Sequence, residues 1–213
     1  MSESDLAAAM LDLQDRGAHN INLVTPTHYA PSIIAAVREA RAARLSIPIV
    51  YNTAAYESEY TIDMLKDVVD IWLPDLKYYS AATAKSYSFA EDLPKISRRN
   101  IERMYSYSGA PLIDDNGIMR RGVVVRVLLL PGHVAEAKLN LKYLHNTFGD
   151  NIYVSIMSQY TPQKGLQPPL CRRVTADEYG ELVDYAISLG IKKAFTQEYS
   201  SANESFIPDF DME

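Results

Sequence analysis

The chain has 213 residues with 21 basic against 27 acidic side chains, a formal net charge of −6. It has no basic run that could track a phosphate backbone, so nucleic acid is not an expected partner. Apolar residues make up 47% and charged residues 23%, as in a soluble globular domain. No apolar stretch approaches the roughly 18–20 residues of a membrane span, so no membrane role is expected. The single cysteine, Cys171, excludes a disulfide scaffold and any iron–sulfur site ligated only by cysteines of this chain. Met1-Ser2-Glu3-Ser4-Asp5 lacks the basic and apolar regions of a secretory signal, so a cytoplasmic location is expected. The length suits one domain over 1–213, closed by an acidic tail at 201–213.

In chain order the first element reads as a helix. Leu6, Ala9 and Leu13 recur at helical spacing, Ser2 or Ser4 can cap the start, and Gly17 can end it. A strand at Asn20–Val24 follows, then a helix begun by Pro31 that places Ile33, Ile34 and Val37 on one face. A strand runs from Ile47, Thr61 caps a short helix, and another strand runs over Val69–Pro74. Helix fills Ala81–Ser108 with a break at Pro94, and Pro111 to Arg120 reads as a hairpin turning at Asn116-Gly117. Val123–Leu130 is the strongest strand, apolar on both faces except for Arg126. A helix from Val134 to Gly149, a strand over Ile152–Met157 and a loop over Thr161–Arg173 come next. The capping box Thr175-Ala-Asp-Glu178 starts the last helix, and a strand over Ala194–Thr196 ends the pattern. The order, helix and then repeated strand–helix units, predicts an α/β fold with a mostly parallel sheet of about six strands.

Five of these strands end in polar residues that a buried strand does not need: Thr25-Pro26-Thr27-His28, Asn52-Thr53, Asp75-Leu76-Lys77, Pro131-Gly132-His133 and Ser158-Gln159-Tyr160. In parallel α/β sheets ligands bind at the carboxyl ends of strands, so the five tails are expected to converge on one site. Arg126 is the sharpest signal, because a permanent cation inside an apolar strand must be paired or must reach a ligand. It either faces a helix and pairs with a surface carboxylate, or faces the site. Asp75 and Lys77 lie two residues apart, so an extended backbone sends both to one side. They form either a surface ion pair or a clamp for a ligand carboxylate. Asn52-Thr53 offers an amide and a hydroxyl to a polar ligand edge, or caps a turn. His28 and His133 follow strands but lack metal-ligand spacing, so hydrogen bonding is favoured over a metal site.

Asn20-Ile-Asn-Leu-Val-Thr-Pro-Thr-His28, Val50-Tyr-Asn-Thr-Ala-Ala-Tyr56, Asp70-Ile-Trp-Leu-Pro-Asp-Leu-Lys77, Val125-Arg-Val-Leu-Leu-Leu-Pro-Gly132 and Ser155-Ile-Met-Ser-Gln-Tyr160 occur in this order. Together they resemble the radical S-adenosylmethionine (SAM) proteins, and within them the group related to the pyruvate formate-lyase activating enzyme. The resemblance covers about Ser4 to Gln197. It implies a partial (β/α)6 barrel holding SAM and a 4Fe–4S cluster at the strand ends. By this resemblance Thr25 and Thr27 stand where the methionine amino group is received, Lys77 lies near the SAM carboxylate, and Arg126 points into the barrel. Asp75, Asn52 and Gln159 complete the expected cofactor-binding set.

Two departures qualify that expectation. The family's Cys-x3-Cys-x2-Cys loop and the strand before it have no counterpart, so the chain reads as a barrel lacking its first strand. Relatives also carry Asn-Thr-Gly-Gly where this chain has Asn52-Thr53-Ala54-Ala55, and the added methyls could hinder backbone approach to SAM. The resemblance implies a radical SAM oxidoreductase, like a glycyl-radical activase, that reductively cleaves SAM to a deoxyadenosyl radical. The expectation is therefore the C-terminal part of such an enzyme, inactive alone, with its cluster in the full-length parent. Its partner would be a glycyl-radical enzyme or another protein substrate, and its exposed first strand could self-associate. Two alternatives stand beside it: a metal-dependent or Schiff-base (Lys77) barrel enzyme, and a non-catalytic protein that binds SAM or a partner.

Overall fold

The computed structural model describes residues 1–196, and the expected acidic tail at 201–213 lies outside them. The first helix, α1 (Glu3–Asp15), is opened by a capping box in which Ser2 accepts from the Asp5 N–H and Asp5 accepts from the Ser2 N–H. Its buried residues are Ala7 and Met10, whereas Leu13 is 40% exposed. The expected row of Leu6, Ala9 and Leu13 is thus turned partly outward. A helix laid against one neighbour buries only a narrow seam, and here that neighbour is α2 (Ala30–Ala42).

Strand β1 (Ile21–Val24) leads into α2, which buries Ile33, Ile34 and Val37 as expected. Strand β2 (Ile49–Thr53) precedes α3 (Glu59–Leu65). The cap of α3 is Ser58, not Thr61: the Ser58 hydroxyl accepts from the Thr61 N–H at 3.2 Å, so the helix begins three residues earlier. Strand β3 (Ile71–Pro74) follows, then α4 (Ala81–Ser88) and α5 (Leu93–Ser108), whose first turn holds Pro94.

The hairpin forms with β4 (Leu112–Ile113) antiparallel to β5 (Met119–Leu128). Asp114 closes its turn by accepting from the Asn116 and Ile118 N–H groups. This pairing starts β5 before the apolar run at Val123. Gly122 sits there at φ 135, where a Cβ would come within 3.0 Å of the Pro111 backbone. The chain then continues through α6 (Val134–Phe148), β6 (Tyr153–Met157), α7 (Ala176–Ser188) and β7 (Ala194–Phe195). The capping box at Thr175 and Glu178 opens α7 as its sequence predicts.

The parallel strands run β1-β2-β3-β5-β6-β7 across the sheet, with β4 attached to β5. This is an α/β partial barrel of mostly parallel strands. Register divides each strand by parity. Ile49, Tyr51, Trp72, Val123, Val125 and Val127 belong to the large core shared with the helices. Tyr51 and Trp72, paired across β2 and β3, meet edge-on at 5.6 Å with neither ring exposed. The alternate residues Val50, Ile71 and Val124 form a separate small cluster on the opposite, concave face. That face carries the site.

Candidate functional site

Asn52 lies beside Leu73, and Arg126 lies beside both Ser155 and Asp75. By strand parity all of these face the concave side. Arg126 therefore does not face a helix. Its guanidinium meets Asp75 Oδ1 at 2.6 Å, and the Lys77 ammonium meets Asp75 Oδ2 at 3.2 Å. The Asp75 side chain is 14% exposed, Arg126 23% and Lys77 36%.

Backbone bonds fix this cluster: the Asp75 N–H donates to the Thr53 carbonyl at 2.9 Å and the Leu76 N–H to the Arg126 carbonyl at 2.8 Å. From α6, the fully buried Asn140 donates to the Leu76 carbonyl at 3.4 Å. One carboxylate thus serves two cations, and the local sum is one positive charge. Arg126 Nε is buried without a hydrogen-bond partner. Groups of this kind can grip a ligand carboxylate by charge and by the guanidinium fork.

Thr25, exposed and at φ 50, donates its N–H to the Asn52 carbonyl at 2.9 Å and so ties β1 to β2. Thr27 is turned toward a group that the sequence reading missed. Its hydroxyl donates to Glu57 Oε1 at 2.9 Å, and the Thr53 hydroxyl donates to the same oxygen. Tyr51 donates its phenol proton to Thr27 at 3.3 Å, and burial pushes that phenol up to about 12. Burial also raises the Glu57 carboxyl above its ordinary value; the two threonine hydroxyls oppose that rise and the charge of Asp75 adds to it. The Ala55 methyl is fully buried at φ 59, so it packs within protein and does not line the mouth.

Gln159 stands half-buried beyond β6 at the same end of the sheet, joined to the ion cluster by no hydrogen bond among the described residues. His28 is exposed, and His133 pairs through Nε2 with the Tyr87 hydroxyl at 2.9 Å. Among the described residues no three His, Cys, Asp or Glu side chains come together to hold a metal. Cys171 is a free, exposed thiol. The residues present do not fit a 4Fe–4S cluster, which needs several thiolates.

No family model matches this chain. It is 26% identical over 171 residues to an uncharacterized protein of Methanocaldococcus jannaschii, covering 78% of this chain and 46% of that protein. The chain thus spans about half the length of that curated relative. Among solved structures it is similar to a domain of the pyruvate-formate lyase-activating enzyme from Bacteroides vulgatus, with TM-score 0.57 and 12% identity over 84% of this chain and 98% of that one. SuiB of Streptococcus suis bound to S-adenosylmethionine matches at TM-score 0.61 and 11% identity, over 93% of this chain and 44% of that one. A radical SAM methyltransferase from Sphaerobacter thermophilus matches at TM-score 0.61 and 15% identity, over 92% and 57%. The class defined by these likenesses is the parallel partial barrel of radical SAM enzymes. This chain has that fold.

Proposed function

We propose that this chain is the SAM-holding part of a radical SAM enzyme of the activating-enzyme kind. The observation that carries the reading is the Asp75–Lys77–Arg126 cluster, placed on the concave face at the strand ends. Bound SAM carries one carboxylate, one ammonium and a sulfonium, and supplies a cleavable carbon–sulfur bond. Lys77 and Arg126 hold its carboxylate, with Asp75 keeping both cations oriented. Asp75 also offers its charge to the ammonium, and Asn52 and Gln159 offer amides to the remaining polar edge. Thr25 and Thr27 shape the β1 side of the same mouth.

Cys171 alone cannot ligate a 4Fe–4S cluster, so the cluster this reading calls for would be held by cysteines of a further segment. On this reading the 213 residues have no radical activity by themselves. The outer edge of β1, which pairs only with β2 among the described residues, accepts a further strand from that segment or, in its absence, another copy. The partner is a protein substrate such as a glycyl-radical enzyme, and the location is cytoplasmic. None of the described helices is long and apolar enough to cross a membrane.

Calorimetry with SAM tests the cofactor. Saturable heat is expected, reduced at least about tenfold in affinity by Arg126→Met. The absence of heat up to about 1 mM SAM, the equivalent of roughly 4 kcal/mol of binding, would sink the reading. Anaerobic reconstitution with iron and sulfide is expected to leave this chain without a cluster absorbance.

A further inference from the structure

Glu57 is a carboxyl side chain only 6% exposed. Its Oε1 accepts from Thr27 at 2.9 Å and from the Thr53 hydroxyl, while its Oε2 is buried without a partner. These two donors belong to different strand ends. Thr27 lies in the turn after β1, and Thr53 is the last residue of β2.

The polypeptide on both sides of this carboxylate adopts a conformation that L-residues with side chains avoid. Thr25 has φ 50 and Ala55 has φ 59. Such residues persist only where their surroundings hold them. Around Ala55 the hold is explicit: its N–H donates to Thr53 Oγ1 at 3.0 Å, and its carbonyl accepts from the buried Asn100 of α5 at 3.2 Å. The second amide proton of Asn100 reaches the Glu57 carbonyl at 2.9 Å, so α5 fixes the main chain of Glu57 itself. Around Thr25 and Thr27, by contrast, the side-chain ties are those of Thr27 to Glu57 and to Tyr51. Glu57 is anchored on the α5 side and reaches across to the β1 side.

We propose that Glu57 is a positioning residue, a buried clasp that fixes the Thr25–Tyr29 turn against the end of β2 and so sets the width of the ligand mouth. The clasp deepens the SAM reading and rests on it for its ligand. Its geometry, however, makes a claim about the turn that can be read without any ligand. The groups that face it are the hydroxyls of Thr27 and Thr53, the Tyr51 phenol behind Thr27, and the nearby Asp75 charge. The cations Lys77 and Arg126 are paired with Asp75.

The test compares the wild type with Glu57→Ala and Glu57→Gln. Hydrogen exchange is followed at the Thr25 N–H, which donates to Asn52, and at the Tyr29 N–H, which donates to Pro26. SAM affinity is measured on the same proteins. Glu57→Ala is expected to speed exchange at both amides about tenfold or more while α6 keeps its protection. It is also expected to weaken SAM binding about tenfold. Glu57→Gln is expected to restore both, because the amide oxygen accepts the same two hydroxyl protons.

Unchanged exchange in Glu57→Ala overturns the clasp. Loosened exchange with unchanged SAM affinity also overturns it as a positioning residue, leaving a structural tie. If Glu57→Ala does not fold, Thr27→Val removes the bond from Glu57 to the β1 side, together with that of Tyr51, and leaves the Ala55 N–H bond to Thr53 in place; the same loosening is expected at both amides, and unchanged exchange overturns the clasp. If the wild type binds no SAM, the cofactor reading fails and the exchange data alone decide the claim about the turn.

Discussion

Two carboxylates stand at the mouth of this sheet, and they are held in opposite ways. Asp75 is gripped by two cations whose outer ends remain partly in solvent. Glu57 is gripped by neutral hydroxyls and sealed from solvent. A carboxylate between two cations can yield one partner to an incoming anion, because the exchange trades one ion pair for another. A carboxylate among hydroxyls has no such exchange available, and its burial works against its own ionisation. The first arrangement suits ligand binding and the second suits holding two loops in place.

The sharpest way to break the comparison is to remove the cation on which Asp75 depends most. Arg126→Met leaves Asp75 mostly buried, with only Lys77 to pair it. Breaking a buried pair costs about 3–5 kcal/mol. The partial exposure of both side chains reduces that here to roughly 2–4 kcal/mol. Urea denaturation of the two proteins measures it. A loss below about 0.5 kcal/mol would mean that the pair is solvated like a surface one.

Much of this half of the site was legible in the sequence. A guanidinium inside Val123–Leu130 demands a counter-charge, and the Asp75-Leu76-Lys77 tail supplies one from the neighbouring strand. Period-2 parity then puts the pair on the concave face. Glu57 was not legible. It lies beyond the tail of β2, just before the cap of α3, where an acidic residue reads as a solvated one. It is turned inward by the left-handed turn at Ala55, and a buried Asn100 on a distant helix holds it there. Neither a positive φ at an alanine nor a bond from α5 leaves a local pattern. At the β6 side the tail rule brings Gln159 to the same end of the sheet, where it makes no hydrogen bond to the ion cluster among the described residues. The α3 cap was misplaced by three residues because both Ser58 and Thr61 can cap, and only the backbone decides between them.

Glu57 makes a smaller prediction, read along pH. Its folded-state pKa lies above the ordinary 4.5. Between the unfolded and folded values the folded state holds more protons, so its contribution to stability is full below about 4.5 and declines as pH rises through the folded value. Wild type and Glu57→Gln are therefore expected to diverge as pH rises from about 4 toward neutrality, with the glutamine variant gaining relative stability. Carboxylates held low by cations, such as Glu178 at about 2 beside Arg172, titrate below that window and are common to both proteins. Parallel stability curves across it would mean that the two hydroxyls fully offset the burial of Glu57.

The smallest effect on stability is expected at the other cation of Asp75. Lys77 is 36% exposed and meets Asp75 at 3.2 Å, so the pair is screened and the long side chain loses conformational freedom in forming it. Lys77→Met is expected to change unfolding stability by less than about 1 kcal/mol, with a salt dependence weaker than that of the wild type. Its effect on SAM affinity is expected to be larger than that, because bound carboxylate would lose a point charge in a partly desolvated mouth. The two readouts separate the roles of the two cations. Arg126 should cost both stability and binding, whereas Lys77 should cost binding almost alone. If Lys77→Met lowers stability as much as Arg126→Met, Asp75 is held equally from both sides and neither cation is free to turn toward a ligand.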